Sequence, residues 1–238
     1  MSRMIGALFL LFFLPACAMY QTPGAGVAIG DLSQAPADVA EMIQREPAAQ
    51  FPARLATVRV QASGYRIRTG RCHGSGGFCV ITARDLEEEE DYTRLSGMPG
   101  VLEVGRLTRL LLPERVASID DLRLAAARLK ADVLVVYTMD THADVDGESL
   151  GPLTMLTLGF LSSRRVHLTS TASAALLDVR SGFLYGVAEA TVAQDSRSSI
   201  WAEDQTIEVL RLTSERDALE KMLHEVEVLW ASLYDTYK

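Results

Sequence analysis

Residues 118–138 read SIDDLRLAAARLKADVLVVYT and decide the fold. Ser118 is a favoured N-cap residue, so a helix is predicted over Ile119–Ala131. One face of this helix carries its apolar residues, Leu122, Ala125, Ala126 and Leu129. The continuous apolar run Val133–Tyr137 then predicts a strand that is central in its sheet or covered on both sides.

Segments on either side of this stretch add further strands and helices. Alternation over Arg54–Gln61 predicts a strand, and the acidic start of Asp85–Leu95 predicts a helix. Val166–Val179 and Phe183–Val192 predict a hairpin with Gly182 in a left-handed conformation, before a last helix over Thr206–Tyr237. Shorter strands are predicted at Tyr65–Arg68, at Phe78–Thr82 and within Val101–Leu112. This order predicts an α/β fold of the α+β type with a mixed sheet: a single two-layer domain with a β-hairpin and a long C-terminal helix.

Composition excludes several classes of protein. The chain has 238 residues, of which 48% are hydrophobic and 23% charged, and its formal net charge is −8. So high an apolar fraction argues against intrinsic disorder. The negative charge argues against nucleic-acid binding, because phosphates are bound by surplus Lys and Arg.

The first seventeen residues, MSRMIGALFLLFFLPAC, predict export. Arg3 precedes the apolar run Ile5–Leu14, which is too short to span a bilayer but has the length of a signal-peptide core. The segment ends in Leu14-Pro-Ala-Cys17, which resembles the bacterial lipobox. That resemblance implies a signal peptide over residues 1–16 and acylation of Cys17 with fatty chains such as palmitate. The alternatives are an ordinary signal peptide with an incidental cysteine, and an uncleaved amphipathic anchor.

Two further expectations follow from the lipobox. Ala18 stands where an Asp would retain a lipoprotein in the inner membrane, so the resemblance implies the periplasmic face of the outer membrane. Residues 17–52 contain Pro23, Pro36, Pro47 and Pro52, and they predict a lipidated N-terminus and a Pro/Ala-rich tether with a short helix around Ala37–Arg45. Residues 53–238 are then the mixed α/β periplasmic domain.

The domain resembles a small α/β domain of several envelope proteins. Ala131–Thr138 after a capped helix, and the hairpin Ala174–Tyr185, resemble the N-terminal domain of the Tol-system propeller protein, the curli-secretion channel lipoprotein and the lipoprotein activators of cell-wall synthases. The lipoproteins associated with rhombosortase systems are also similar. These resemblances imply protein–protein interaction, and they supply no catalytic residues and no cofactors.

Cys72 and Cys79 lie eight residues apart, counted inclusively, around the glycine-rich turn HGSGG. An exported chain reaches an oxidising compartment, where close cysteine pairs form disulfides. Two alternatives stay open. The cysteines could remain free thiols, or they could bind a metal together with His73, although four ligands are usual for structural zinc.

Four other segments carry residues that catalysis, metal binding or an interface could use. Ser75 stands in an incomplete nucleophile elbow, for which His142, His167 or His224 would be the base. In Asp140–Glu148, acidic residues and His142 occupy alternate positions. This pattern fits either a cation-binding site or a solvated loop. The apolar stretch Leu150–Leu161 is compatible with core, with an interface or with membrane-inserting strands. We interpret Glu87–Glu90 as a solvated helix start, and Trp201 and Trp230 as packing residues.

The sequence therefore predicts a non-enzymatic envelope lipoprotein, an adaptor or assembly factor that faces the periplasm. Its expected partners are the membrane, through the lipid on Cys17, and an envelope protein, with no nucleic acid, metal or cofactor. The alternative is an oligomeric secretion or export channel component of the curli-channel type. A hydrolase that uses Ser75 is a third hypothesis.

Overall fold

The structure, a computed structural model, describes residues 25–32, 39–63, 65, 72–74, 76–147, 163–199 and 203–238. Its helices are a 3₁₀ turn at Ile29–Leu32, α1 (Val39–Gln44), α2 (Glu89–Ser96), α3 (Ile119–Arg128) and α4 (Glu203–Tyr237). Its strands are β1 (Ala53–Ala62), β2 (Cys72–His73), β3 (Phe78–Ile81), β4 (Val101–Arg106), β5 (Val133–Gly147), β6 (Ser163–Asp178) and β7 (Leu184–Ser199). The predicted mixed α/β domain, with its hairpin and long C-terminal helix, is confirmed.

One mixed sheet of seven strands organises the domain, in the order β2-β3-β1-β5-β6-β7 with β4 beside β1. β1 has three partners. β4 runs parallel to its first half, β3 runs antiparallel to its second half, and β5 runs parallel along its other side. β4 and β5 run parallel on opposite sides of β1, and α3 with its flanking loops forms the long connection between them.

α4 covers one face of the sheet. Its apolar stripe, Leu219, Met222, Val226, Trp230 and Leu233, is buried against β5, β6 and β7. Trp230 is 0% exposed, and its indole Nε1 donates a hydrogen bond to the Pro99 carbonyl at 2.8 Å. Its interpretation as a packing residue is therefore confirmed. The helix approaches the sheet so closely that a β-carbon at Gly186 would lie 2.9 Å from the Leu229 side chain.

α3 covers only part of the opposite face. Ser118 and Asp121 form a capping box at its start, and Leu122, Ala125 and Ala126 pack with core residues of β1 and β5. No described helix covers β6 and β7 on this side. We call this uncovered surface the open face.

The β6–β7 turn is built around Asp178. Its Oδ1 accepts hydrogen bonds from the Arg180 and Ser181 backbone at 2.8 and 2.9 Å. Gly182 has a φ of 71°, the left-handed conformation predicted for this position. The carboxylate therefore fixes the turn that sets the register of the hairpin.

Parts of the predicted tether contact the sheet domain. The second oxygen of Asp178 accepts hydrogen bonds from the Ala48 and Ala49 backbone, each at 2.7 Å. Leu32 is 1% exposed, and the Phe51 ring lies 5.3 Å from that of Trp230. Residues 1–24, which include the predicted signal peptide and Cys17, lie outside the described part of the chain.

Candidate functional site

The two cysteines of the domain are joined in a disulfide. Cys72 on β2 and Cys79 on β3 have their Cα atoms 5.4 Å apart. The prediction of a disulfide is confirmed, and both sulfurs are thereby removed from metal binding. His73 instead forms a hydrogen bond to the Pro113 carbonyl at 2.9 Å. Ser75, the residue of the hydrolase hypothesis, lies outside the described residues.

A groove of about 490 Å³ lies on the open face. We call it the open-face groove. β5 contributes Thr138 and Asp140 to it, β6 contributes Thr171 and Ser173, and β7 contributes Val187 and Glu189. The opposite wall is formed by Gly26, Val27, Ala28, Ile29 and Leu32. Successive residues of a strand point to opposite faces, so every second position of β5–β7 reaches this surface.

The wall segment is held on the sheet by backbone hydrogen bonds. The Ala62 amide donates to the Ala25 carbonyl at 3.2 Å, and the Val27 amide donates to Thr138 Oγ1 at 3.1 Å. A β-carbon at Gly26 would lie 3.3 Å from Cβ of Asp140. Glycine therefore allows this close approach.

Gln61 fixes the β5 side of the groove from within the sheet. Its Nε2 donates to the Met139 carbonyl at 2.9 Å, and its Oε1 accepts from the Met139 amide at 3.2 Å. The same oxygen accepts from Thr138 Oγ1 at 2.6 Å. Backbone pairing between β1 and β5 ends at Arg59 and Tyr137, so the Gln61 amide continues it where the strands diverge.

The groove combines an apolar floor with two carboxylates. Val136, Ala175 and Val187 line its apolar part, and Val187 is 64% exposed. Asp140 and Glu189 supply negative charge, and no lysine, arginine, histidine or cysteine is among the lining residues described. Such a surface can bind an apolar partner that carries positive charge.

Residues 140–147 of the alternating segment Asp140–Glu148 form the outer part of β5, and Glu148 lies outside the described residues. Asp140, His142 and Asp144 occupy alternate positions of that strand and are exposed, as their spacing predicts. His142 Nε2 lies 3.2 Å from Asp144 Oδ1, and on β6 His167 Nδ1 lies 2.6 Å from an Asp195 oxygen. Within the described ranges, no group of three or more His, Cys, Asp or Glu side chains is placed to hold a metal ion.

Beneath α4 lies a buried ionic cluster that the sequence interpretation missed. Arg59 is 2% exposed, and it donates hydrogen bonds to Asp85 at 2.8 Å and to the Tyr65 hydroxyl at 2.9 Å. Glu215 lies 4.0 Å from Arg59 and 2.6 Å from Arg211. Burial disfavours the charged guanidinium, but Tyr65 and the carboxylates outweigh it and raise the pKa of Arg59 above its usual value.

One member of the acidic run belongs to this cluster. The Glu87 side chain is 7% exposed and accepts a hydrogen bond from the Tyr137 hydroxyl at 2.8 Å. The interpretation of Glu87–Glu90 as wholly solvated is therefore wrong for Glu87, because the chain enters α2 only at Glu89. A signal for the cluster exists in the sequence: Arg59 lies four residues after Leu55, on the same face of β1.

Several predicted features lie where the structure describes no residue. They are Cys17, Trp201 and the apolar stretch Leu150–Leu161. In the described part of the chain, no helix is long and apolar enough to cross a membrane.

Comparisons with known proteins add little. No family model and no curated protein matches the chain. Among solved structures, a putative neuraminyllactose-binding hemagglutinin homolog from Helicobacter pylori is 10% identical, with a TM-score of 0.40 over 86% of this chain and 98% of that one. A DUF330 protein from Xanthomonas campestris is 13% identical, with a TM-score of 0.34 over 92% of this chain and 100% of that one. Both scores are too low for either likeness to bear on fold or function.

Proposed function

We propose that this chain is a lipid-anchored, non-enzymatic adaptor of the bacterial envelope, which faces the periplasm from the outer membrane. The observation that carries the proposal is the lipobox-like sequence Leu14–Cys17 directly after an apolar run. Several acyl chains on one cysteine give a lasting anchor, whereas one chain holds a protein only marginally.

The geometry supports a binding surface near that anchor. Ala25, at the margin of the open-face groove, lies eight positions along the chain from Cys17. An extended chain spans at most about 3.5 Å per residue, so the lipid would attach within roughly 28 Å of Ala25. The open-face groove would then lie close to the membrane surface.

The groove suits binding better than catalysis. Ser173 is the one serine among its described lining residues, and its hydroxyl donates to Glu189 at 2.8 Å. No histidine or lysine stands in the described lining to act as a base. The one candidate base within reach of Ser173 in the described lining is the exposed Glu189 carboxylate, and the oriented histidine or lysine that usually activates a serine nucleophile is not among these residues.

Palmitate labelling tests the anchor. Wild type should incorporate label and fractionate with the outer membrane, and Cys17→Ala should lose both properties. Cys72→Ala is the matched control, since this cysteine belongs to the disulfide and should leave labelling intact. Equal labelling of wild type and Cys17→Ala would contradict the anchor.

Photo-crosslinking in intact cells tests the adaptor role. A crosslinking residue at Thr171, in the open-face groove, should give a discrete adduct, and one at Glu114, an exposed loop residue, should not. The protein purified in mild detergent should form no large ring-shaped oligomers. A stable ring would favour the channel alternative.

A further inference from the structure

In the described part of the chain, one edge of β7 has no strand paired to it. Among the described strands β7 pairs only with β6, and its sixteen residues span about 54 Å at roughly 3.4 Å per residue. An edge strand presents unpaired N–H and C=O groups, which other strands can join. On the opposite side the described sheet ends in β2, which has two residues, and in β4, which has six.

The middle of this edge carries few of the features that protect an exposed strand, although Asp195 and Arg197 follow in the last third of β7. Proteins usually block exposed edges with lysine, proline or a bulge. Between Leu184 and Gln194 the strand has no lysine and no proline, and Glu189 is its one charged residue. The register shift of the hairpin lies near its turn, between Leu176 and Leu177, so β7 is regularly paired from Val187 onward.

Two grooves meet at the middle of this edge. On one side is the open-face groove, which Val187 and Glu189 line. On the other is a cavity of about 710 Å³ between β7 and α4, the edge groove, lined by the β7 segment around Ala190, by Arg94 of α2 and by α4. The side chains of an added strand alternate between the two faces, so they would enter both grooves.

Both grooves are acidic. The edge groove is lined by three carboxylates of α4, Asp217, Glu220 and Glu225, against two cationic side chains, Arg94 and Lys221, and by His224, whereas the Glu189 carboxylate lies on the open face, where it accepts from Ser173. Arg94 is already paired with Glu227 at 3.0 Å. Among the described residues, Glu189, Glu220 and Glu225 make no ion pair within 4.0 Å, although Glu220 interacts electrostatically with Arg94 and Arg216. The carboxylates still outnumber the cationic side chains around this edge.

We propose that the β7 edge accepts an extended basic segment of another protein, in which Lys or Arg alternates with small apolar residues. Backbone pairing would supply affinity, and the two acidic grooves would select the positive side chains. A second copy of this chain fits less well, because it would bring its own Glu189 and its net charge of −8 to the same acidic surface. The inference rests on the proposed adaptor role and names its partner chemistry.

Fluorescence anisotropy tests this with full-length protein in mild detergent. The ligand is a labelled peptide of about ten residues in which Lys alternates with Val and Thr. We expect binding that weakens as ionic strength rises. A peptide with Glu in place of Lys, and one with a central Pro, should not bind.

Two variants locate the site. Glu189→Lys should weaken binding about tenfold, and Glu225→Lys, on α4, several-fold, because each places a like charge against the peptide. Glu103→Lys is the matched control on β4, where binding should not change, and thermal unfolding checks that each variant folds. In hydrogen exchange, the bound peptide should slow exchange of β7 amides.

Three results would overturn the inference. The affinity could be unchanged in both Glu189→Lys and Glu225→Lys, the acidic peptide could bind as well as the basic one, or the bound peptide could slow hydrogen exchange only away from β7. A concentration-dependent dimer protected along β7 would overturn it as well. The peptide assay does not depend on lipidation. If wild type takes up no palmitate label, the lipid anchor is rejected and the proposal for the β7 edge is unaffected. If wild type is labelled but does not bind the peptide, only the proposal for the β7 edge is rejected.

Discussion

Replacing Asp178 by Asn should destabilise the protein by about 4 kcal/mol. One carboxylate oxygen accepts from the Ala48 amide, the Ala49 amide and the Tyr185 hydroxyl, and the other accepts from two turn amides. Asn keeps only one of the two acceptor oxygens, and its NH₂ group then points at backbone N–H groups to which it cannot hydrogen-bond. If the NH₂ faces the turn, the Arg180 and Ser181 amides stay unpaired at about 1–3 kcal/mol each. If it faces the other way, the Ala48 amide stays unpaired, and the Ala49 amide keeps only its hydrogen bond to the Tyr185 hydroxyl at 3.3 Å.

Urea unfolding followed by circular dichroism at pH 7 measures this loss. With a slope of about 2 kcal/mol per molar, the midpoint should fall by roughly 2 M. Asp120→Asn is the matched control: its carboxylate is 74% exposed and pairs with Arg123 on the surface of α3. That change should cost less than about 1 kcal/mol.

The pH dependence gives an independent check. Burial disfavours the charged carboxylate of Asp178, but hydrogen bonds from Ser181, Ala48, Tyr185 and Ala49 outweigh it and lower its pKa below 3.8. A lowered folded-state pKa contributes stability that is present above the unfolded value and lost as pH falls through the folded value. The gap between wild type and Asp178→Asn should therefore narrow below pH 3.8. Equal midpoints at pH 7, or a gap that persists unchanged in acid, would refute the reasoning.

Three further changes probe the rest of the domain. Replacing both Cys72 and Cys79 by Ser should cost about 2–3 kcal/mol in urea unfolding, and reduced wild type should match the variant; a reductant without effect would contradict this. Arg59→Met should lower the free energy of unfolding by about 3–5 kcal/mol, because it leaves buried carboxylates without a positive partner. Arg54→Met, at a half-exposed side chain, is the control and should cost under about 1 kcal/mol. Equal losses in the two variants would argue against the buried cluster. Trp230→Ala should cost about 3–5 kcal/mol by calorimetry, and a fall in stability below about 1 kcal/mol would show that α4 is not anchored there.

The regular elements were predictable because each carries a local signal. The Ser118 cap, the alternation in β1 and the stripe of α4 all depend on neighbours within a few residues. The full length of the hairpin was not predictable. β5 and β7 continue beyond Tyr137 and Val192 into polar sequence, and cross-strand pairing extends them there without a hydrophobic signal.

The buried cluster and the groove were not predicted, for a different physical reason. Arg59 is buried only because carboxylates from the segment before α2 and from α4 converge on it. Asp140 and Glu189 both line the open-face groove although 49 residues separate them in the chain. Such juxtapositions depend on the register of distant strands, which no local pattern specifies.

Gln61 shows how that register is fixed at the groove. A slip of one residue between β1 and β5 would turn every β5 side chain to the other face, and Asp140 would leave the open face. Backbone pairing of the two strands ends at Tyr137, three residues short of Asp140. The Gln61 amide bonds both backbone groups of Met139, so it holds β5 in register up to the residue before Asp140. It also accepts from Thr138, which in turn accepts from Val27 in the wall segment. A single buried side chain on β1 therefore positions both the strand that carries the groove's first carboxylate and the wall opposite it.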